Sequence, residues 1–231
     1  MLHSIKSAVK SSPFLIAMTS LIYRSCGRIF NKIKLKGQNN IIETNVPGLF
    51  LSHFNLSIRG NNNCIRFRPG GISYIRGLRI SITGDNNTIE IGTDTSCYGL
   101  IICIEDNGNK VLLGNRFRCG ANTELAAIEG TTISFGEDCM LSANIAVRTG
   151  DSHSVLDMEG RRVNLSKSIS IGNHIWIGNT VIIFKGTKIG HNSVVAGGAV
   201  VTGKDFPPHC IIGGNPAKVI KDGIDWREER I

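Results

Sequence analysis

The sequence predicts an all-β fold: a parallel β-helix of stacked triangular coils, with an amphipathic helix ahead of it. Two periodicities predict the β-helix. A six-residue repeat runs through the C-terminal third, and an Asn/Gly-rich motif recurs through the N-terminal half. Composition agrees, because only 6% of residues are aromatic while 27 are glycine. Such a chain favours a narrow interior filled by small aliphatic side chains.

The first segment has a helical pattern. Ser12 and Pro13 are typical of a helix N-cap and first turn. Apolar residues then recur every three or four positions, which indicates an amphipathic helix. We expect residues 1–32 to form a basic helical arm. Two roles stay open: the helix packs on the open end of the β-helix and hides its first edge, or it lies on a membrane surface and contacts anionic lipid.

The net charge of +8 is concentrated near the N-terminus. Residues 1–36 hold seven of the 26 basic side chains and none of the 18 acidic ones, so the rest of the chain is nearly neutral. A neutral body has no basic face with which to neutralise phosphates. We therefore expect no nucleic-acid partner.

Cysteine usage and hydropathy bear on the compartment. The seven cysteines are odd in number and form no C-x-x-C pair, which favours buried thiols in a reducing compartment. No apolar run is long enough to cross a membrane, and the short run at 14–18 lacks a cleavage site. We expect a cytoplasmic protein, with peripheral contact at the inner face of the membrane if the arm binds lipid.

The N-terminal half predicts long coils. An apolar-x-apolar-x-G-x-N-N motif occurs at 33–40, 56–63 and 80–87. The strands that follow are predicted to start at Ile41, Ile65, Ile89, Val111 and Ile133. These spacings exceed 18 residues, so each coil gains a corner of about four to six residues in which Asn and Gly adopt the left-handed backbone.

The C-terminal third predicts short coils. Its six-residue blocks begin at Ile171, Ile177, Ile183, Ile189, Val195 and Val201. Three blocks close one coil, and each inward residue stacks on its equivalent about 4.8 Å away in the next coil. Between Val147 and Ile169 the frame breaks, and the polar segment 149–164 cannot fill a coil face. We predict that it protrudes as a functional loop.

The segment from Ser168 to Lys221 resembles the hexapeptide-repeat acyltransferases, and among them the sugar and capsule O-acetyltransferases. The residues that carry the resemblance are SISIGNHIWIGNTVIIFKGTKIGHNSVVAGGAVVTGKD and IIGGNPAKVIK, together with the loop GDSHSVLD. The resemblance implies a left-handed β-helix, which we place at 33–221 with a tail at 222–231. It also implies a homotrimer, acetyl-CoA as donor, and active sites between adjacent subunits.

Acetyl transfer to an alcohol needs a base, because a hydroxyl is a poor nucleophile until it loses its proton. His153 lies in the polar loop, at the position that matches the family's catalytic histidine. Histidine is suited to proton transfer near neutral pH. Asp151, Asp157 and Glu129 are the candidates for orienting its ring.

The resemblance implies further site residues. Trp176 would lie at the rim of the site, near the thioester. Asn122, Glu124 and Glu129 would face the acceptor. The donor positions are Asn179, Gly197, Thr202, Lys204, Pro216, Lys218 and Lys221. The last two lysines would meet the nucleotide phosphates. Lys204 follows Gly203, where the family has Thr-Lys directly, which leaves its contact open.

The function predicted is O-acetylation of a sugar hydroxyl, with a capsular or lipopolysaccharide glycan as the favoured acceptor. An N-acetyltransferase acting on a nucleotide-linked amino sugar is the alternative. A γ-class carbonic anhydrase would need three histidines on a metal, and His153, His174 and His191 lack the close pair of that class. We expect no metal, and we expect His174 and His191 to face solvent. A non-enzymatic scaffold is the remaining alternative.

Overall fold

The computed structural model describes residues 30–231. The predicted amphipathic helix lies outside the described residues, apart from its last three positions. Of the seven N-terminal cations, Lys32, Lys34 and Lys36 lie on the first strand of the β-helix rather than on an arm.

Three sheets form the faces of a triangular prism. Sheet A contains β1 (Lys32–Lys36), β4 (Asn55–Arg59), β7 (Arg79–Thr83), β10 (Leu100–Glu105), β13 (Thr123–Ala127), β16 (Ala146–Arg148), β19 (Ile182–Phe184) and β22 (Val200–Val201). Sheet B contains β2 (Ile41–Glu43), β5 (Cys64–Phe67), β8 (Thr88–Ile91), β11 (Lys110–Leu113), β14 (Thr132–Phe135), β17 (Ile169–Ile171), β20 (Lys188–Ile189) and β23 (Asp205–Phe206). Sheet C contains β3 (Leu49–Ser52), β6 (Ser73–Arg76), β9 (Ser96–Tyr98), β12 (Arg118–Cys119), β15 (Met140–Leu141), β18 (Ile175–Ile177), β21 (Ser193–Val195), β24 (Ile211–Gly214) and β25 (Ala217–Lys221).

The chain visits sheets A, B and C in turn, and each strand pairs in parallel with the strand one coil later. Each sheet therefore holds eight parallel strands, one per coil, while β25 turns back antiparallel on β24. The predicted left-handed β-helix is confirmed, and the described residues contain no α-helix. We call the corner between sheets A and B the A–B edge, and the corner between sheets C and A the C–A edge.

The interior is a set of aliphatic columns. Ile65, Ile89, Val111 and Ile133 stack in register on sheet B and are fully buried. β2 begins at Ile41, as predicted, but Ile41 is not in register with the other predicted strand starts. Ile41 pairs with Cys64 and is half exposed, while Ile42 is the partner of Ile65. Ile33 pairs with Leu56 and Ile42 pairs with Ile65, so the first coil is one residue shorter than the 24 residues between Ile41 and Ile65.

A buried polar ladder runs along the A–B edge of the N-terminal coils. The amide of Asn63 donates to Asn40 Oδ1 at 3.0 Å, that of Asn87 to Asn63 Oδ1 at 3.0 Å, and that of Asn109 to Asn87 Oδ1 at 3.1 Å. Asn63, Asn87 and Asn109 are fully buried. The first Asn of each pair, such as Asn86, takes the predicted left-handed backbone. The second Asn points inward, which the motif did not reveal.

The ladder continues to the root of the polar loop. Thr131 N donates to Asn109 Oδ1 at 3.0 Å, and Thr131 Oγ1 donates to Thr149 Oγ1 at 2.6 Å. The C-terminal coils use a shorter corner instead. There the buried Thr187 donates from Oγ1 to its own turn, at the carbonyl of Phe184 2.7 Å away.

Candidate active site

The polar loop leaves the A–B edge between β16 and β17 and protrudes, as predicted. A backbone bond from Val163 N to Val155 O (2.9 Å) and a bridge between Leu156 and Arg162 fold it into a short antiparallel hairpin. At its base, Gly150 packs so closely that an added Cβ would lie 2.2 Å from Ser166 Oγ and 2.4 Å from Ile128 Cδ1. The lack of a side chain at Gly150 therefore lets the loop root pack tightly against the coil.

Two ion pairs fasten the loop, one on each side of it along the prism. On the C-terminal side, Asp151 contacts the ammonium of Lys185, which stands at the A–B edge of the next coil. On the N-terminal side, Arg162 donates to Glu129 Oε1 at 2.5 Å, and Ser166 N donates to Glu129 Oε2 at 3.3 Å. The loop is thus held by residues from both neighbouring coils.

Asn164 connects the two strands of the hairpin. Its amide group donates to Asp151 Oδ2 and to the backbone carbonyl of His153, each at 2.8 Å. Its side-chain oxygen accepts from Val155 N at 2.8 Å and from Arg162 Nε at 3.1 Å. The side-chain amide of the half-buried Asn164 therefore positions the backbone that carries the candidate base.

The electrostatics keep both fastening carboxylates ionised. The bond from Lys185 lowers the pKa of Asp151, and the bond from Arg162 lowers the pKa of Glu129. A carboxyl group whose pKa is lowered by folding stabilises the folded chain at pH values above its ordinary pKa. This stabilisation is lost as the pH falls through the pKa of the folded state. The loop therefore stays fastened at neutral pH.

His153 is exposed and lies two residues before Val155, where the hairpin begins. Among the described residues, no carboxylate is hydrogen-bonded to its ring. Asp151 is engaged with Lys185 and Asn164, Glu129 with Arg162 and Ser166, and Asp157 with the backbone and side chain of Arg161. The three orienting candidates are thus engaged with other groups of the loop and its neighbouring coil in this single chain, and none is hydrogen-bonded to the imidazole.

A second group of predicted residues lies on the C–A edge. Asn122, Asn179 and Gly197 occupy the turns that lead from sheet C to sheet A in successive parts of the stack. Asn122 donates from its amide to Asn144 Oδ1 at 3.1 Å, and Asn179 Oδ1 accepts from Ala143 N at 2.8 Å. Gly197 is exposed, so this edge presents backbone groups with little side-chain cover.

The remaining predicted residues divide between the faces. Trp176 points outward from β18 and is 38% exposed, as expected. Pro216, Lys218 and Lys221 are exposed on or beside β25, which covers the end of sheet C. Thr202 and Lys204 lie on the A–B edge after β22. Glu124 faces outward from sheet A and pairs with Arg148 at 2.5 Å.

Within one chain, the structure does not bring the predicted residues together. His153, Glu129, Thr202 and Lys204 lie on the A–B edge, while Asn122, Asn179 and Gly197 lie on the C–A edge. Sheet A separates the two edges. A groove of about 460 Å³ on the outside of sheet B, which Asn115, Ser134 and His191 help to line, does not include His153.

Sequence reasoning missed the tail residue Trp226 and its partner His174. The two rings stack at 4.3 Å, Trp226 Nε1 donates to the His174 carbonyl at 2.9 Å, and His174 Nδ1 is 2.8 Å from Asp138 Oδ2. His174 is therefore half-buried under the tail, and the expectation that it faces solvent was wrong. The signal available was a lone tryptophan in a charged C-terminal segment.

Burial lowers the pKa of His174, but the Trp226 carbonyl and the Asp138 carboxylate outweigh it, so the pKa is raised above its ordinary value. Trp226 also lies 6.1 Å from Trp176, centroid to centroid. The tail therefore borders the predicted rim of the site. It is held there by the stacking of Trp226 on His174, which is a titrating group.

In the part of the chain that the structure describes, no three His, Cys, Asp or Glu side chains are grouped so as to hold a metal ion. The described residues include no helix that is long and apolar enough to span a membrane.

Comparison with known proteins gives a family. No family model matches the chain. The polysialic acid O-acetyltransferase of Neisseria meningitidis is 34% identical over 192 residues, which cover 83% of this chain and 87% of that protein. A polysialic acid O-acetyltransferase of Escherichia coli O1:K1 / APEC is 34% identical over 124 residues, 53% of this chain, and the match spans only 40% of that longer relative.

A solved structure agrees with the sequence match. The polysialic-acid-specific acetyltransferase NeuO superposes with a TM-score of 0.79 at 29% identity, over 87% of this chain and 90% of that one. Fold, repeat and relatives lead to one conclusion: the chain belongs to the hexapeptide-repeat acyltransferases, among the sugar O-acetyltransferases.

Proposed function

We propose that this acetyltransferase moves an acetyl group from acetyl-CoA to a hydroxyl of an acidic surface glycan of the polysialic acid class. The observation that carries the proposal is the loop that presents His153, fastened on one side by Asp151–Lys185 and on the other by Glu129–Arg162. The relatives named for polysialic acid support the acceptor class.

The chemistry follows from an imidazole carried on a backbone that Asn164 positions. The acceptor hydroxyl attacks the thioester carbonyl of acetyl-CoA while His153 takes its proton. The tetrahedral intermediate then collapses, the carbon–sulfur bond breaks, and the imidazolium returns the proton to the CoA thiolate. The products are the acetyl ester and free CoA. Because the loop is fastened to both neighbouring coils, the backbone that carries His153 is in place before substrate arrives.

The C-terminal coils supply the donor site in this proposal. Asn179 and Gly197 leave backbone groups open on the C–A edge, where an extended pantetheine amide chain can pair with them. Lys218 and Lys221 are exposed on β25 and suit the nucleotide phosphates. Lys204 lies on the opposite edge, so its contact in the same site requires another chain.

The assembly proposed is a homotrimer, because one chain separates the two halves of the site across sheet A. If sheet A faces the three-fold axis, the A–B edge of one subunit meets the C–A edge of its neighbour. The outward side of sheet A suits such burial in its C-terminal half. There Ile182, Phe184 and Val200 are only partly exposed, as are Ile101 and Cys103 on β10 near the middle of the sheet.

Subunit complementation tests this function and assembly together. His153→Ala and Gly197→Trp should each be inactive on polysialic acid, the first without a base and the second with a blocked donor path. Mixing the two and allowing subunits to exchange should restore activity, since one edge of each variant is intact. A monomeric mass by light scattering, or mixtures that stay inactive, would contradict the shared site.

An N-acetyltransferase is separated from this proposal by the acceptor atom. Matched sugars that offer an amine or a hydroxyl should be compared at equal concentration, with CoA release as the measurement. Preference for the amine would overturn the O-acetyl assignment.

We also propose a cytoplasmic location, with the basic segment 1–32 holding the enzyme against anionic lipid at the inner face of the membrane. Flotation with anionic vesicles, compared with neutral vesicles and with a chain lacking residues 1–32, tests this contact. Binding that does not weaken with added salt would count against it.

A further inference from the structure

The outer face of sheet C carries two exposed tyrosines and an arginine on adjacent coils. Tyr74 is 46% exposed and Tyr98 is 57% exposed. The guanidinium of Arg76 lies over the Tyr98 ring, 5.9 Å from its centroid, and Phe50 stacks behind Tyr74 at 5.0 Å. We call Tyr74, Arg76 and Tyr98 the Tyr–Arg patch. These rings are held in place by packing, yet they face solvent.

From this arrangement we infer that the Tyr–Arg patch is a subsite for the acidic acceptor chain, remote from the reacting hydroxyl. The inference rests on the proposed function. A pyranose ring offers an apolar C–H face that packs on an aromatic ring. A carboxylate on the same sugar would pair with Arg76 through charge-assisted hydrogen bonds. The patch therefore matches a carboxylated sugar better than a neutral one.

The charge of Arg76 is available for such a ligand. Among the described residues it forms no ion pair with a carboxylate, and the shallow groove of about 330 Å³ around it has no acidic lining residue. Arg118, on the next coil but one, is different because it contacts Glu228 and lies 3.3 Å from Asp138. The cation of the patch is thus unneutralised, while its neighbour on sheet C is paired within the chain.

The patch is continuous with the candidate acceptor site. β9 pairs with β12, so Tyr98 lies one coil, about 4.8 Å, before Gly120 and the Asn122 turn. Small residues, Gly120, Ser142 and Gly178, then continue along the same border of sheet C to Asn179. The coil of Trp176 is four coils after that of Tyr74, a distance of about 19 Å along the prism at about 4.8 Å per coil. An extended chain bound on the patch would therefore pass along the C–A edge toward the rim.

The test measures direct binding of polysialic acid, independent of catalysis, by titration calorimetry. Arg76→Gln should weaken binding by about ten-fold, the effect of losing a hydrogen bond to a charged group. Tyr98→Ala should have a similar effect. Arg66→Gln is the matched control, because Arg66 is an outward arginine of the same coil on sheet B, 3.3 Å from Glu43. It should bind as the wild type does.

Kinetics give the second readout. In the patch variants, the KM for long polysialic acid should rise about ten-fold, while the KM for a sialic acid dimer and for acetyl-CoA should not change. A dimer is too short to reach from the reacting centre to the patch. Circular dichroism and light scattering should show the same fold and assembly as the wild type.

The outcomes separate the two proposals. Unchanged binding and unchanged KM for the polymer in folded variants would overturn the patch, even if the wild type acetylates polysialic acid. A wild type that does not bind polysialic acid would overturn it as well. Binding that depends on Arg76 without acetylation of the polymer would support the patch and contradict the proposed acceptor.

Discussion

The two halves of the β-helix share a core but close their corners differently. In the N-terminal half, Ile65 pairs with Ile89 after 24 residues and Ile89 with Val111 after 22. In the C-terminal half, Ile171 pairs with Ile189 after 18. Most of the added residues form the A–B corners with their buried asparagine ladder, whereas the 18-residue coils have tight turns and small exposed residues.

The difference in corner length indicates how one type of repeat can carry both a protruding loop and an open backbone edge. The ladder runs coil by coil to Thr149, where the loop that carries His153 leaves the stack. The short coils beyond it expose Gly197 and neighbouring backbone, where we propose that the donor binds. In the proposed function, the N-terminal half thus supports the base and the C-terminal half supplies the donor surface.

Removing one rung of the ladder should produce the largest loss of stability. In Asn87→Ala, Asn63 and Asn109 each lose a buried hydrogen-bond partner, so the free energy of unfolding should fall by about 3 kcal/mol. Urea unfolding measures this loss. Asn86→Gly is the control, because Asn86 has a left-handed backbone that glycine adopts freely. Equal losses in both variants would show that the ladder has no special role.

Loosening the loop from the C-terminal half should lower activity more than stability. In Lys185→Met, Asp151 loses its partner and the loop shifts, so kcat should fall about ten-fold, as small misplacements of a catalytic group do. Lys188→Met is the matched control, because it removes an exposed 3.1 Å pair with Asp205 away from the loop. An equal fall in kcat for both variants would contradict the fastening role.

The polar group at a short corner should matter less than a ladder rung. Thr187→Val removes one hydrogen bond to the Phe184 carbonyl within a single turn, at a cost of about 1 kcal/mol. Urea unfolding beside Asn87→Ala makes the comparison. A loss as large as that of the ladder variant would mean that the two kinds of corner are equally sensitive.

Rising pH should weaken the tail contact, with the smallest effect of the four. The pKa of His174 is raised, so its contribution is fully present below the ordinary value of 6.5 and is lost as the pH rises through the folded-state value. Trp226 fluorescence should therefore report looser stacking at high pH. In His174→Gln this dependence should vanish, and a pH response that persists there would assign it to another group.

The sequence predicted most of the fold, because inward aliphatic residues recur at a period that only stacked coils satisfy. It did not show that Asn63 and Asn87 point inward, since asparagine is common both in exposed turns and in buried ladders. It also placed Ile41 one position out of register. Corner length varies from coil to coil, and periodicity alone does not resolve it.

The site was predictable only in part. The break in the repeat located the loop and His153, and the repeat placed Trp176 on an outward position. The fastening by Lys185 and Asn164 and the contact between His174 and Trp226 were not predictable, because they join residues 13 to 52 positions apart through side chains with no motif of their own.

We propose that the β-helix holds His153 as the base, and His153→Ala tests this role most directly. The variant should keep the fold, the assembly and the affinity for acetyl-CoA, because the residue lies on an exposed loop and contributes nothing to the stacked core. Steady-state turnover on polysialic acid should drop by about 10²- to 10⁴-fold, the usual contribution of a positioned general base. Near-native turnover in a folded variant would show that this loop is not the active site.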